Sequence, residues 1–345
     1  MVSPILEMKN ITKEFPGVKA LNNVSFQVKE GEIHCLVGEN GAGKSTLMKV
    51  LSGVYPFGTY SGDILFGGEI QKFSSIADSE KAGIAIIYQE LALIPEMTVY
   101  ENIFLGHEIK KGARIDWNET IKRATEMLRK VRLNVNPEAK VIELGVGKQQ
   151  LIEIAKALSK DVKLLILDEP TSALNENDSE NLLNLLRELK GHGVTCVLIS
   201  HKLKEVIEIA DSVTVLRDGK TIITLSAENG DVTEASLIKY MVGREIDNIY
   251  PPRPNKQVGD ILLEVRHWNA YSPVLGRKVL KDVSFNIKKG EIVGFAGLMG
   301  SGRTELALSL FGNPAGYRID GEMYVHGKRQ QFHHHRTRSG PGSRM

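Results

Sequence analysis

The sequence predicts an α/β fold with antiparallel additions, followed by a partial second copy of the same domain. Short apolar runs alternate with stretches of helical periodicity, which is the pattern of a buried parallel sheet covered by helices. A glycine-rich motif that begins at Gly38 joins one apolar run to a helical stretch. The segment that begins at Leu21 recurs without gaps from Leu280, at an offset of 259 positions (280 − 21).

The core elements are predicted from the spacing of their apolar residues. Strands that are buried on both faces are continuously apolar, whereas helices place apolar residues at i, i+3, i+4 and i+7. Gly67-Gly68 and Asp218-Gly219 are typical of tight hairpin turns and predict additional antiparallel strands. The predicted strands are residues 33–37, 84–88, 164–167 and 194–199, and the predicted helical stripes are Leu47, Val50, Leu51 and Val54, and Leu182, Leu185, Leu186 and Leu189.

Composition indicates a globular chain of about two domains. The chain has 345 residues, of which 42% are hydrophobic and 25% charged, and its net charge of +2 gives no indication of nucleic-acid binding. Cys35 and Cys196 lie in apolar runs, so we expect buried free thiols rather than a disulfide or a metal site. No secretory signal is recognisable, and no apolar run approaches the roughly 20 residues that span a bilayer. We therefore expect a cytosolic polypeptide whose membrane part, if any, is supplied by other subunits.

The internal repeat sets the expected domain boundaries. Gly62 and Gly321 keep the same offset, as do Gly68 and Gly327 and then Phe73 and Phe332. We predict a first domain over residues 1–245, a proline-containing linker over 246–260, a truncated second domain over 261–332 and an unstructured tail over 333–345. The three adjacent histidines of the tail are expected to be fortuitous rather than a metal site.

A phosphate-binding loop is predicted between the first core strand and the first helix. The motif fits the pattern G-x-x-x-x-G-K-[ST], whose backbone N–H groups and helix N-terminus surround phosphate oxygens. Lys44 would neutralise the β- and γ-phosphates, and the Ser45 hydroxyl would ligate Mg²⁺. The predicted nucleotide-binding residues are Gly38, Glu39, Asn40, Gly41, Ala42, Gly43, Lys44, Ser45 and Thr46.

Two adjacent carboxylates follow another apolar run. Asp168 and Glu169 come directly after residues 164–167, at the carboxyl end of a predicted strand, where ligands bind in open α/β sheets. Asp168 suits Mg²⁺ coordination, and Glu169 is placed to polarise the attacking water. Alternatively, Asp168 and Glu169 could form an ordinary strand-to-loop junction without a catalytic role. The phosphate loop upstream favours the catalytic interpretation.

With both motifs in place, the sequence resembles the ABC-transporter ATPases. In particular, residues 1 to about 332 are similar to the tandem-domain ATP-binding subunits of bacterial monosaccharide importers of the ribose, galactose, xylose and arabinose group. The resemblance implies a P-loop NTPase core with an antiparallel β-subdomain and an inserted helical subdomain. It also implies ATP and Mg²⁺ as cofactors, transmembrane permease subunits as partners, an indirect extracytoplasmic sugar-binding protein, and a position on the inner face of the membrane.

The resemblance assigns further roles by position. Gln89 matches a glutamine that senses Mg²⁺ and faces the permease, and His201 matches a histidine that contacts the γ-phosphate. Phe15 matches an aromatic residue that stacks on adenine, and residues 172–175 match a dimer-contact loop, with Asn175 where Asp is usual. Each residue also has an alternative interpretation, as a loop residue for Gln89 and His201 and as a core aromatic for Phe15.

Two motifs depart from the family pattern. The signature segment, usually L-S-G-G-Q, is here Leu144, Gly145, Val146, Gly147 and Lys148, and Arg303 replaces the lysine in the second copy of the phosphate loop. In the family, each ATP lies between the phosphate loop of one domain and the signature of the other. The resemblance therefore implies one competent and one degenerate site. We expect the isolated chain to bind ATP with weak or absent hydrolysis, unless two first domains dimerise in the presence of ATP.

Other functions of ABC ATPases remain as alternatives. A non-transport ATPase of DNA repair, chromosome organisation or translation would carry long coiled coils, zinc motifs or a highly charged linker, and none of these is recognisable in the sequence. A nucleotide-binding module without hydrolysis, or an export pump, is a further alternative. The sequence does not indicate which sugar is transported.

Overall fold

A computed structural model describes residues 4–243, 259–298 and 300–330. They belong to two compact units, one on each side of the boundary between residues 247 and 248. Most of the predicted linker, Phe332 and the predicted tail lie outside the described residues.

The first unit alternates strands and helices after an N-terminal hairpin. Short 3₁₀ turns occur at Val141–Glu143 and Ala227–Asn229. In chain order the elements are β1 (Pro4–Phe15), β2 (Val18–Lys29), β3 (Ile33–Val37), α1 (Lys44–Leu51), β4 (Ser61–Phe66), β5 (Glu69–Gln71), α2 (Ile76–Ala82), β6 (Ile84–Ile87), α3 (Val99–Phe104), β7 (Lys110–Lys111), β8 (Arg114–Ile115), α4 (Trp117–Lys130), α5 (Val146–Leu158), β9 (Leu164–Asp168), α6 (Glu176–Gly191), β10 (Thr195–Ile199), α7 (Leu203–Ile209), β11 (Ser212–Arg217), β12 (Lys220–Ser226) and α8 (Glu234–Val242).

A six-stranded sheet forms the centre of this unit, in the order β12-β11-β3-β10-β9-β6. All of its neighbouring strands are parallel except β11 and β12. The predicted apolar runs form these strands, and every residue of β3 and β10 is buried. Because successive side chains alternate between faces, Leu165 and Leu167 pack with the helices while Leu164 and Ile166 pack with the second sheet.

The second sheet is antiparallel, in the order β2-β1-β4-β5. It shares one apolar core with α1 and the opposite face of the central sheet. Both predicted hairpin turns form: Gly67 and Gly68 join β4 to β5, and Asp218 and Gly219 join β11 to β12, with positive φ angles throughout. The expected antiparallel additions are therefore present.

The predicted helical stripes are correct except at one position. Leu182, Leu185, Leu186 and Leu189 are all buried on α6. Val54, by contrast, lies beyond the end of α1 and is 38% exposed. The helix ends because the chain turns at Gly53, which has φ +75° and lies so close to the Ser75 carbonyl that a Cβ atom would be 2.5 Å from its oxygen.

Both cysteines are buried in central strands, Cys35 in β3 and Cys196 in β10. Burial raises the pKa of Cys196 to about 12, and the pKa of Cys35 is also strongly raised by burial. Neither thiol is a reactive thiolate at neutral pH.

The second unit repeats the antiparallel part of the first. It contains β13 (Ile261–Ser272), β14 (Arg277–Lys288), α9 (Arg303–Leu310), β15 (Arg318–Val325) and β16 (Lys328–Arg329), and its sheet order β14-β13-β15-β16 repeats β2-β1-β4-β5. One part of the repeat differs. Residues 292–296 correspond to β3 but form no strand, and Ile292 is 80% exposed. In the first unit β3 pairs with β10 and β11, and the described part of the second unit contains no strand in either place.

Candidate functional site

The loop from β3 to α1 is shaped by close backbone contacts at its glycines. A Cβ atom on Gly38 would lie 2.3 Å from the Leu216 carbonyl oxygen. Gly43 has φ +102°, and a Cβ atom there would lie 2.8 Å from the Ala20 carbonyl oxygen. Only glycine fits both positions, and the loop therefore bends tightly between the two sheets before α1 begins at Lys44.

Lys44 directs its ammonium group back into this loop. Its Nζ donates to the carbonyl oxygens of Gly38 at 2.8 Å and Glu39 at 3.1 Å. Burial lowers the pKa of Lys44, and the nearby carboxylates of Glu169 and Asp168 oppose that shift. The loop thus holds a buried positive charge at a helix N-terminus, which is a suitable environment for phosphate.

Ser45 and Asp168 present two oxygen atoms to the same space. The Ser45 hydroxyl donates to Oδ2 of Asp168 at 3.4 Å. Burial raises the pKa of Asp168, the charge of Glu169 raises it further, and Ser45 and Lys44 act in the opposite direction. A hydroxyl and a half-buried carboxylate fit the hard oxygen ligands that Mg²⁺ prefers.

Phosphate oxygens or water would have to complete such a cation site. Within residues 4–243, 259–298 and 300–330, no group of three or more His, Cys, Asp or Glu side chains is placed to hold a metal ion. Mg²⁺ typically binds through one or two protein ligands together with phosphates.

Glu169 and His201 follow adjacent parallel strands, β9 and β10, and their side chains meet at the carboxyl ends of these strands. Glu169 Oε1 lies 3.1 Å from His201 Nδ1. The Glu169 backbone has φ +49°, and its N–H donates to the Ile199 carbonyl at 2.9 Å. A non-glycine residue with positive φ is uncommon and is found at sites where the surrounding structure fixes an unfavourable conformation.

These groups line one open cleft of about 1050 Å³. Most of the nucleotide-binding and catalytic residues predicted from sequence are brought together here. Ala42 instead packs into the core, and Phe15 is not among the lining residues. The predicted residues in the cleft are Gly38, Glu39, Asn40, Gly41, Gly43, Lys44, Ser45, Thr46, Gln89, Asp168, Glu169 and His201.

Sequence reasoning missed several lining residues. Val18, Lys19 and Ala20 begin β2, and Asp218 and Gly219 form the β11–β12 turn that had been recognised only as a hairpin signal. Met241 of α8 also lines the cleft. The structural reason is the close approach of the two sheets: Asn22 N–H donates to the Gly219 carbonyl at 2.7 Å. No local motif in the sequence indicates this contact.

Phe15 lies beside the cleft in an aromatic pair. Its ring meets that of Tyr55 edge-on, with centroids 5.4 Å apart, and Lys13 Nζ lies 5.2 Å from the Phe15 ring centroid. Val18, three residues after Phe15 in the sequence, does line the cleft and is 62% exposed. Adenine stacking by Phe15 therefore stays a prediction.

The signature residues lie at the start of α5 and do not line the cleft. Gly145 precedes the helix without a side-chain cap, and Val146 is exposed. A Cβ atom on Gly147 would lie 2.7 Å from Oδ2 of Asp178, so the signature turn packs against the first turn of α6. Asn175, where the family usually has Asp, caps α6 by accepting from Asp178 N–H at 2.9 Å.

In the second unit, Gly302 precedes Arg303 and has the same close contact as Gly43, which precedes Lys44 in the first unit. A Cβ atom on Gly302 would lie 2.9 Å from Leu280 Cδ2, and one on Gly43 would lie 2.9 Å from Leu21 Cδ2. Arg303 begins α9, as Lys44 begins α1. The loop position is therefore equivalent in both units, and the charged residue differs.

Comparison with known proteins shows which chains are similar to this one. A family described as ABC transporter matches residues 21–172. The L-arabinose transport ATP-binding protein AraG of Geobacillus stearothermophilus is 61% identical over 324 residues, which cover 94% of this chain and 63% of that protein. The xylose import ATP-binding protein XylG of Thermoanaerobacter pseudethanolicus is 60% identical over 326 residues, which cover 94% of this chain and 64% of that protein. The chain thus spans slightly less than two thirds of these relatives.

The fold agrees with a solved structure. The crystal structure of a nucleotide-free ATP-binding cassette from an ABC transporter superimposes with a TM-score of 0.62 at 27% identity, covering 69% of this chain and 98% of that chain. This likeness confirms the predicted fold class. No helix in the described ranges is both long and apolar enough to cross a membrane.

Proposed function

We propose that the chain belongs to the ABC transporter family and is the ATP-binding and ATP-hydrolysing subunit of a monosaccharide importer. The observation that carries the proposal is the meeting of Lys44, Asp168, Glu169 and His201 in one cleft. The relatives named for arabinose and xylose favour a pentose as the imported sugar.

The cleft residues would divide the work of phosphoryl transfer among them. Lys44 and the N-terminus of α1 hold the β- and γ-phosphates, while Ser45 and Asp168, with Gln89 nearby, hold Mg²⁺. When bound, Mg²⁺ neutralises charge that develops on the phosphate oxygens.

Glu169 would orient the attacking water and accept its proton. His201 lies within contact distance of the Glu169 carboxylate and is placed to reach the γ-phosphate from the neighbouring strand. The fixed positive φ of Glu169 limits the positions that its carboxylate can take, which favours one orientation of that water.

ATP would also join two such domains. Gly145, Val146 and Lys148 of the signature are exposed at the start of α5, outside the cleft of their own unit, as is needed if they contact ATP bound to another domain. We therefore propose an ATP-dependent dimer contact through this surface. Gly145 and Val146 lack the serine hydroxyl and the glycine of the usual signature, and a site that receives them would hydrolyse ATP poorly.

The proposed partners are transmembrane permease subunits, which would place this chain in the cytoplasm, peripheral to the inner face of the cell membrane. An extracytoplasmic sugar-binding protein would act indirectly, by delivering the sugar to the permease. The names and identities of the two relatives support this arrangement.

The first test is nucleotide binding by the chain itself. Calorimetry with ATP and Mg²⁺ should give saturable binding, and Lys44→Ala should weaken it at least tenfold, because a charge-assisted bond contributes about 1.5–3 kcal/mol. Lys122→Ala, on the exposed face of α4, is the matched control. Absence of ATP binding, or equal binding by both variants, would refute the proposal.

The second test is transport. Membrane vesicles that contain the chain with permease subunits should take up labelled pentose only when ATP is supplied on the side that this chain occupies. ATP-independent uptake, or uptake that does not require the chain, would contradict the proposed role in import.

A further inference from the structure

Three polar contacts join the segment after Glu169 to the helix after His201. Thr171 Oγ1 donates to Oε2 of Glu205 at 2.6 Å, and Lys202 Nζ donates to the Thr171 carbonyl at 2.7 Å. Lys202 Nζ also donates to Oε1 of Glu205 at 3.1 Å. The contacts form a closed triangle, which we call the Thr171 network and which consists of Thr171, Lys202 and Glu205.

The Thr171 network is shielded from water at its centre. Thr171 is 2% exposed, and the side chain of Glu205 is 14% exposed. Hydrogen bonds to an ionised group are roughly twice as strong as those between neutral groups, and all three contacts are of this kind. They therefore restrict the two segments more than an exposed ion pair would, because solvent competes less with them.

The network lies next to the two catalytic candidates but outside the cleft. Lys202 directly follows His201, and Thr171 lies two positions after Glu169. Glu169 and His201 line the nucleotide cleft, whereas the residues of the Thr171 network are not among its lining residues. The pairing of β9 with β10 ends immediately before Glu169. The two candidates thus lie between the sheet on one side and the network on the other.

We propose that Thr171, Lys202 and Glu205 are positioning residues that hold the His201 imidazole beside the Glu169 carboxylate. The inference rests on the proposed function, in which these two groups act on ATP. The His201 side chain is 54% exposed, and a contact of such an exposed group contributes little by itself. The network supplies the restraint that the contact between Nδ1 and Oε1 lacks.

A second contact between α6 and α7 provides a matched control. Arg187 of α6 lies 2.6 Å from Glu208 of α7, with side chains that are 40% and 53% exposed. This pair also joins charged groups, but it does not involve the segment after Glu169. Its loss should therefore leave the contact between Glu169 and His201 unchanged.

The first test observes the His201 imidazole in the chain alone. Its ring carbon is followed by NMR in ¹³C-histidine-labelled protein at constant pH, and His201→Ala identifies the signal. We expect Thr171→Val, which removes the donor at nearly constant shape, to shift this signal in the same direction as Glu169→Gln. Thr171→Ser keeps the hydroxyl and should restore the original position, and Glu208→Gln should not move it.

A double variant separates positioning from a general loss of stability. If Thr171 acts through the contact between His201 and Glu169, Thr171→Val should cause no further shift of the His201 signal in the Glu169→Gln background. Effects that share one contact are non-additive, whereas a stability effect unrelated to that contact would add. ATP affinity of the single variants should be unchanged, which verifies that they are folded.

The second test is ATP hydrolysis by the chain assembled with the proposed permease subunits. Thr171→Val and Glu205→Gln should each lower kcat at least about tenfold, because a misplacement of about 1 Å can cost about 10²-fold in rate. KM for ATP should stay within about twofold, since the phosphate loop is not altered. Thr171→Ser and Glu208→Gln should retain the kcat of the unmodified protein.

Three results would overturn the inference. The first is a His201 signal that moves in neither Thr171→Val nor Glu205→Gln. The second is an equal shift on Thr171→Val with and without Glu169→Gln, and the third is a raised KM with unchanged kcat. Failure of the proposed function would differ from all three: the unmodified chain would not bind or hydrolyse ATP, while its His201 signal would still respond to Thr171→Val.

Discussion

Nδ1 of His201 lies 3.1 Å from Oε1 of Glu169. The two residues are far apart in the chain and become neighbours because β9 and β10 are adjacent and parallel, with Ile199 opposite Asp168. The catalytic candidates of this chain are therefore positioned by the pairing of two buried strands, and their geometry depends on the central sheet.

Glu169→Gln should remove ATP hydrolysis while ATP binding is kept. Glutamine preserves the shape of the side chain but cannot accept a proton from water, and loss of a general base typically costs about 10²–10⁴-fold in rate. The measurement is phosphate release by the chain assembled with the proposed permease subunits. Glu180→Gln, an exposed carboxylate on α6, is the control and should retain full activity. Turnover by Glu169→Gln within tenfold of the unmodified protein would contradict the assignment of the base.

Asp168 should make Mg²⁺ binding dependent on pH. Burial and the neighbouring Glu169 raise the pKa of this carboxyl group, and Mg²⁺ binds only its ionised form. The apparent affinity of the ATP complex for Mg²⁺ should therefore decrease as the pH falls through the raised pKa, and Asp168→Asn should bind Mg²⁺ weakly at every pH. Calorimetric titration of Mg²⁺ between pH 5 and pH 8 measures this dependence. A profile that is identical in Asp168→Asn would assign the effect to another group.

Gly43→Ala should destabilise the first unit more than Gly41→Ala. Both glycines have positive φ, but a Cβ atom on Gly43 would lie 2.8 Å from the Ala20 carbonyl oxygen, whereas one on Gly41 has open space within 4 Å. The conformational cost, about 1–3 kcal/mol, applies to both variants, and the steric cost applies only to Gly43→Ala. Urea denaturation of both variants isolates the steric contribution as their difference. Equal midpoints would show that the loop moves away from Ala20 without cost.

The sequence was sufficient for features that depend on local patterns. Residues 33–37 and 164–167 could be recognised as buried strands because a strand covered on both faces must be apolar throughout, and the structure places both in the central sheet. The loop residues Gly38 to Thr46 could be recognised because phosphate binding restricts both their type and their spacing.

Features that depend on long-range contacts could not be predicted from local sequence patterns. Val18 and Asp218 line the cleft because the antiparallel sheet approaches the β11–β12 turn, a contact that neither local sequence encodes. Val54 fits the helical period, but the close approach of Gly53 to Ser75 ends α1 before it. The sequence also gives no indication that Oε1 of Glu153 is unpaired, because the residues around Glu153 come from α2 and the segment after β6.

Arg303→Ala should leave most of the ATP turnover of the proposed transporter complex, whereas Lys44→Ala should remove it. Lys44 lies in the cleft with the full set of catalytic candidates, while Arg303 begins α9 at the equivalent position of the second unit. We predict a head-to-tail pairing in which the Arg303 loop would receive the signature that begins at Leu144, where Gly145 lacks a hydroxyl for the γ-phosphate. That composite site is expected to bind nucleotide and contribute little hydrolysis, because both of its motifs depart from the family pattern.

Phosphate release by the two variants, measured at saturating ATP, tests the asymmetry. A comparable loss of turnover in Arg303→Ala and Lys44→Ala would show that both sites hydrolyse ATP and would refute the division into one competent and one degenerate site.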